Sequence, residues 1–234
     1  MQNKRILLKL SGEALAAPDG SIYDHGFVDR VASVLAECAR QGYELGVVIG
    51  AGNIWRGRQG DGMDRITADR MGMLATVINA LCMKDAIERA GADCAVLTAI
   101  PVSPFAEPYS SDLAGRYLAE GRIVLMGAGL GAPFFSTDTA GAVRAAEIGA
   151  DLMLMAKNVD FIYDSDPRIN PNAVRFESIT ASEVLRRGLR AIDGTATAFC
   201  LDAKIPIRIF GLREPEDILR AVRGETIGTV VTPE

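Results

Sequence analysis

The amino-acid sequence predicts an α/β fold: a three-layer αβα sandwich around a mainly parallel central sheet. Three observations carry this expectation. Short apolar runs alternate with amphipathic stretches of helical period, the βαβα order that builds parallel sheets covered by helices on both faces. Several of those runs end in glycine-rich loops that open into a helix start, the place where α/β proteins gather ligands. No linker composition, repeat or low-complexity segment interrupts the 234 residues, so one domain is expected.

The elements follow in order. Residues 5–10 form a short apolar strand that ends in Ser11 and Gly12. Lys9 inside it is either an edge lysine facing water or a charge aimed at the carboxyl end of the sheet; the small-residue loop after it favours the second. Val28, Val31, Val34, Leu35 and Cys38 recur at helical spacing over 26–41, and Gly42 stops that helix. A strand over 43–49 leads into a second glycine loop, 50–57, from which Arg56 emerges. A guanidinium beside exposed backbone amides suits phosphate oxygens. Apolar residues at helical period predict a long helix over 64–90, with Asp69 near its start as either helix-start electrostatics or a ribose-hydroxyl acceptor.

A strand over 93–98, a proline-rich loop and a helix over 111–120 come next. Ile123 to Met126 reads as a buried strand, followed by Gly127, Gly129 and Gly131 and then by Ser136, Thr137 and Asp138 at a helix start. This strand, glycine loop and helix N-terminus can collect an anion on backbone N–H groups, or can be an ordinary capped turn. That helix runs to about 148, and a strand over 150–156 gives way to a polar loop over 157–171. Helices near 180–188 and 195–204, a strand over 205–210, a helix over 215–223 and a terminal strand over 226–231 complete the chain.

Composition narrows the function classes. Hydrophobic residues at 49% and charged residues at 24% supply a sizeable core. A net charge of −5 argues against a general nucleic-acid surface. Cys38, Cys82, Cys94 and Cys200 form no C-x-x-C pair, which points to free thiols in a reducing compartment. The single histidine, His25, has no metal-spaced partner. No apolar run reaches transmembrane length, and the first residues lead into a strand and not into a signal peptide. A cytoplasmic protein without membrane contact is expected.

Three nucleotide-binding signatures are missing. There is no G-x-x-x-x-G-K-[ST], since Gly-Lys does not occur; the G-x-G-x-x-G spacing fails at both glycine loops; and the H-R-D and D-F-G pair is absent. What remains is a phosphate cradle assembled from several glycine loops, one strand lysine and one arginine.

The segments KRILLKLSGEAL (4–15), VVIGAGNIWRG (47–57), DRMGMLAT (69–76) and PFFSTD (133–138), followed by Val159, Asp160, Tyr163, Asp166, Pro167 and IPIR (205–208), span nearly the whole chain in order. Together they resemble the amino-acid kinase family, and within it the bacterial UMP kinases. The resemblance implies transfer of the ATP γ-phosphoryl group to UMP with Mg²⁺, in a homohexamer, by one domain of 1–234. About 1–150 would be the acceptor lobe and 151–234 the ATP lobe. Carried over by position, Lys9, Leu10, Ser11, Gly12, Gly52 and Arg56 would meet the ATP phosphates, and Tyr163 and Asp166 would flank the adenosine. Ala51, Asp69, Leu130, Gly131, Ala132, Pro133, Phe134, Phe135, Ser136 and Thr137 would line the UMP pocket. Lys9 and Arg56 would supply cations for the transfer, and Asp138 and Asp193 would orient Lys9 or the magnesium's water shell. No protein metal ligand is expected, the ion being held mainly through phosphates. In this chain Ala51 stands where the family usually has glycine, Ala132 where it often has a polar residue, Phe161 where it has glycine, and Lys157 where it commonly has a small polar residue. Two alternatives stand beside this reading: a related kinase with another small acceptor, or a non-catalytic nucleotide-binding or storage member of the fold.

Overall fold

A nine-stranded sheet organises the computed structural model, which describes residues 4–55 and 62–234. In chain order the elements are β1 (Arg5–Leu10), a 3-10 turn (Gly12–Leu15), α1 (His25–Arg40), β2 (Glu44–Ile49), α2 (Arg65–Arg89), β3 (Cys94–Thr98), β4 (Glu107–Pro108), α3 (Ser111–Ala119), β5 (Ile123–Gly127) and α4 (Thr137–Glu147). Then come β6 (Leu152–Lys157), β7 (Ile162–Tyr163), β8 (Arg175–Phe176), β9 (Ser178–Thr180), α5 (Ala181–Arg187), α6 (Gly194–Asp202), β10 (Ile207–Gly211), α7 (Glu216–Val222) and β11 (Thr229–Thr232). The strand order is β4-β3-β5-β2-β1-β6-β10-β11-β9, parallel except where β10 meets β11. β7 and β8 form a separate antiparallel hairpin.

Alternation along each strand sorts side chains into two cores. On one face Ile6, Leu8 and Leu10 of β1 join Leu154 and Ala156 of β6 beneath α1, α2 and α7. On the other face Leu7 of β1 and Met153 and Met155 of β6 lie beneath α3, α4, α5 and α6. Lys9 shares the parity of Leu7, and Lys157 shares that of Met155. Both ammoniums therefore issue on the α4 side of the sheet, from neighbouring strands paired as Lys9↔Met155.

Helix starts are fixed by short polar side chains. Asp24, Asp64, Ser110, Ser136, Thr180 and Asp193 each accept a hydrogen bond from a backbone N–H of the first turn, satisfying donors that the helix itself leaves unpaired. Four short strands (β4, β7, β8 and β9) were absent from the sequence expectation, since two or three residues carry no readable period. β6 also extends one residue further than expected, through Lys157. Among the described residues no helix is long and apolar enough to cross a membrane, and all four cysteines are free thiols.

Candidate active site

The carboxyl ends of β1, β2 and β5 lie side by side in the sheet, so their following loops share one rim. Contact between the first two loops is backbone on backbone. A Cβ built on Gly12 would fall 2.1 Å from the Gly50 carbonyl oxygen, so only glycine permits the approach. That carbonyl accepts from Asn79 Nδ2 at 2.7 Å, a fully buried amide of α2 that also donates to Asn53 Oδ1 at 2.8 Å. The third loop closes from the other side, with Thr137 Oγ1 3.4 Å from a Cβ built on Gly50.

The loop after β5 is wound in left-handed conformations. Ala128, Gly129, Gly131 and Phe134 have φ of 63°, 57°, 73° and 72°, and within this curl the Gly131 N–H donates to the Ala128 carbonyl at 2.9 Å. Gly127 has a different role from the other two glycines, because a side chain there would press on Thr98 and Val77. Thr76 Oγ1 accepts from Ala128 N–H at 2.8 Å, and Arg144 Nη2 donates to the Gly129 carbonyl at 3.1 Å. Positive φ among described non-glycine residues is confined to Ala128, Phe134 and Lys204. Ala51 therefore holds the second loop without glycine's freedom.

A pocket between this loop and α2 is lined by Ala51, Trp55, Asp69, Gly72, Met73, Thr76, Gly129, Leu130, Ala132, Phe135, Ser136 and Thr137. Seven of the expected acceptor residues are in that wall; Gly131, Pro133 and Phe134 belong to the same loop without lining it. Asp69 accepts from Phe134 N–H at 2.8 Å and from Arg65 Nε at 2.8 Å, and the Arg65 guanidinium lies 5.3 Å from the Phe134 ring centroid. The carboxylate thus joins α2 to the loop across the pocket mouth. Trp55, Gly72, Met73, Thr76 and Gly129 were not expected in the wall. The 3.6-residue period from Asp69 would have placed Gly72, Met73 and Thr76 on its own face.

At the base of the rim Lys9 Nζ lies 2.9 Å from Asp138 Oδ1, with both side chains nearly buried. Lys9 is thus no edge lysine; β1 is flanked by β2 and β6. Gly141, one turn along α4 from Asp138, lets the helix ride close on β1: a Cβ there would meet Met153 at 2.7 Å and Leu7 at 3.3 Å. Lys157 Nζ takes the second oxygen, 2.5 Å from Asp138 Oδ2, and donates to the Ala191 carbonyl at 2.6 Å. Burial works to raise the Asp138 carboxyl, but the Lys9 and Lys157 ammoniums outweigh it and hold it below the ordinary carboxylate range.

Of the two carboxylates expected to orient Lys9 or the magnesium's water shell, Asp138 is the one paired with Lys9. Asp193 instead caps α6 and accepts from Ser136 Oγ at 2.5 Å and Thr139 Oγ1 at 3.0 Å, tying α6 to the start of α4. Burial opposes its ionisation, yet the Ser136, Thr195 and Thr139 donors keep its carboxyl below the ordinary value.

On the β6 side, Ser11 N–H donates to Ala156 O at 3.2 Å and Asn158 Nδ2 to Glu13 Oε2 at 2.9 Å. These bonds join the expected phosphate loop to the end of β6 and the residue after it. Leu10 is fully buried core, so its side chain faces no ligand. Gly52 packs against Glu13. Tyr163 stands in the β7–β8 hairpin with its hydroxyl donating to Asp160 Oδ1 at 3.0 Å. The Asp166 carboxylate is taken up by Arg168, whose Nη2 lies 2.7 Å away; that pairing and the Arg168 N–H hold its carboxyl down at about 2. Arg56 lies outside the described residues.

The model of the amino acid kinase family matches residues 4–211. This chain belongs to the amino-acid kinase family. Solved members of similar structure include a UMP kinase from Bacillus anthracis, 34% identical with a TM-score of 0.95 over 100% of this chain and 98% of that one. A UMP kinase from Ureaplasma parvum is 36% identical with a TM-score of 0.93, covering 99% and 100% of the two chains. A uridylate kinase from Archaeoglobus fulgidus is 25% identical with a TM-score of 0.73 over 97% and 99%. As an amino-acid-kinase fold, the chain has its glycine loops and its buried Lys9–Asp138 pair on one edge of the sheet.

Proposed function

We propose that this chain is a UMP kinase, transferring the γ-phosphoryl group of ATP to UMP to give UDP and ADP in pyrimidine nucleotide biosynthesis. The observation that carries the reading is the Lys9–Asp138 pair at the rim where three phosphate-type loops meet. Full-length likeness to UMP kinases at 34% and 36% identity supports the choice of acceptor.

Phosphoryl transfer asks the protein for alignment and for neutralisation of charge that spreads over equatorial oxygens. The acceptor oxygen of UMP is already ionised at neutral pH, so no general base is required. Asp138, paired at both oxygens, fits the role of orienting Lys9 rather than taking a proton. In this reading Ser11, Gly12, Gly52 and Arg56 meet the donor phosphates, and Tyr163 and Asp166 flank the adenosine. The loop residues 130–137, with Ala51 and Asp69, enclose UMP, and Asp69 would exchange the Phe134 N–H for ribose hydroxyls.

Asp138 and Asp193 have their oxygens engaged by protein donors, and no cluster of three candidate metal ligands occurs among the described residues. That donor set fits a magnesium ion carried on the nucleotide phosphates. Bound with the nucleotides, such an ion would supply neutralisation of phosphate charge during the transfer.

Self-association also belongs to the proposal. α2 exposes Ile66, Met71, Leu74 and Ile78 on its outer side, Leu74 and Ile78 each at 50%, an apolar stripe suited to a second copy. The resemblance suggests a hexamer working in the cytoplasm, which light scattering on purified protein tests. The function itself is tested by ADP release with UMP, CMP, AMP, carbamate and aspartate as acceptors. UMP-dependent release is expected. Release with another acceptor alone, or with none, overturns the reading.

A further inference from the structure

Lys157 has no part in the mechanism above, yet it is buried in the same cluster. Its ammonium meets two acceptors, Asp138 Oδ2 at 2.5 Å and the Ala191 carbonyl at 2.6 Å. The neighbouring positions on the same face of β6 are methionines, Met153 and Met155, so an apolar side chain would satisfy packing there. Burial pushes the Lys157 ammonium below the ordinary lysine range, and nearby Lys9 adds to this against the pull of Asp138. A lysine held at that cost calls for a role that methionine could not fill.

Charge supplies one. A carboxylate shared between two ammoniums gives half of itself to each. With Lys157 on Oδ2, Asp138 holds Lys9 in place through Oδ1 without cancelling its charge. Without Lys157, the carboxylate would turn wholly to Lys9 and close a one-to-one pair, and the positive potential at the end of β1 would fall.

We propose that Lys157 is a positioning residue for phosphoryl transfer, which occupies half of Asp138 so that Lys9 is oriented yet remains an effective cation. The inference rests on the kinase reading and adds a residue to it. A strand ending at 156 would leave Lys157 in a loop; its place as the last residue of β6 is what gives it the parity of Lys9.

The test uses the full-length protein in the UMP assay, with the wild type run first. Wild type inactive toward UMP would refute the choice of acceptor, and the variants would then be compared on whichever acceptor from the panel is active. Lys157→Met is expected to lower kcat about tenfold or more, less than the full loss of a transition-state donor, with both KM values within about threefold. Lys157→Gln keeps an amide donor without the charge and is expected to lose as much; it also carries the test if the Met variant does not fold. In a cycle with Lys9→Met, the double variant should be no slower than Lys9→Met alone, because Lys157 acts through Lys9. A Lys157→Met kcat within twofold of wild type, full recovery in Lys157→Gln, or additive losses in the double variant would each overturn the proposal.

Discussion

Gly12→Ala tests the geometry of the rim most directly. The new methyl would sit 2.1 Å from the Gly50 oxygen, 2.7 Å from its carbon and 2.8 Å from Asn53 Oδ1. Relief requires the two loops to part by roughly an ångström, a misplacement that costs on the order of 100-fold in a transfer step. The Gly50 carbonyl cannot simply swing aside, since Asn79 holds it from within the core. We expect kcat/KM to fall about 100-fold, equivalent to about 2.7 kcal/mol. Overpacking should also cost about 1–3 kcal/mol of stability, a modest fall in Tm for a chain of this size. Two companions calibrate the result. At Gly52 the nearest atoms to a Cβ belong to the Glu13 side chain and not to backbone, so Gly52→Ala should lose less. At Gly115, within α3, it meets nothing, and Gly115→Ala should keep full activity and gain up to about 1 kcal/mol of stability. Steady-state kinetics and thermal melts read all three. A Gly12→Ala enzyme within threefold of wild type would refute the argument that contact between the two loops aligns the donor phosphates.

Lys9→Met should cost about 3 kcal/mol or more in the barrier, the scale of one lost charge-stabilising donor, and near-normal turnover would remove Lys9 from the chemistry. Asp138 has its carboxyl held below the unfolded value, so its contribution to stability is full above the unfolded pKa and is lost as pH falls through the folded one. The acid limb of stability against pH should accordingly be shallower in Asp138→Asn, and identical limbs would contradict the assignment. Burial pushes the thiols of Cys38, Cys94 and Cys200 up to about 12, leaving a thiolate fraction of about 10⁻⁴ at pH 8. Ellman's reagent should find four thiols in denaturant but, in the native state, only half-buried Cys82, and that slowly; rapid labelling of all four would disprove the core placement.

Much of this was legible from periodicity. The six central strands from β1 to β10 and all seven helices lie where apolar spacing puts them, because each buries a full face and leaves a repeating trace. The hairpin of β7 and β8 left none; its residues sit in polar sequence and are held by single bonds such as Ile162 N–H to Thr229 Oγ1. The loop after β5 was legible because its glycines and hydroxyls are contiguous. The bracing around it was not. Asn79, Thr76 and Arg144 are ordinary letters in helices, and their roles arise from hydrogen bonds across 29, 52 and 15 positions of chain. Asp193 stands out in the sequence as a carboxylate of interest, but its bonds to Ser136 and Thr139 do not, since nothing local says that a cap of one helix will meet the hydroxyls of another.

The strict in-and-out parity of β1 has one more implication. Deleting a single residue from that strand would leave its composition oily and its sheet partners intact. It would also send the Lys9 amine through to the opposite layer, among the side chains beneath α1. The fold could survive such a slip better than the chemistry could, so a frame error of one in six residues separates this enzyme from an inert look-alike.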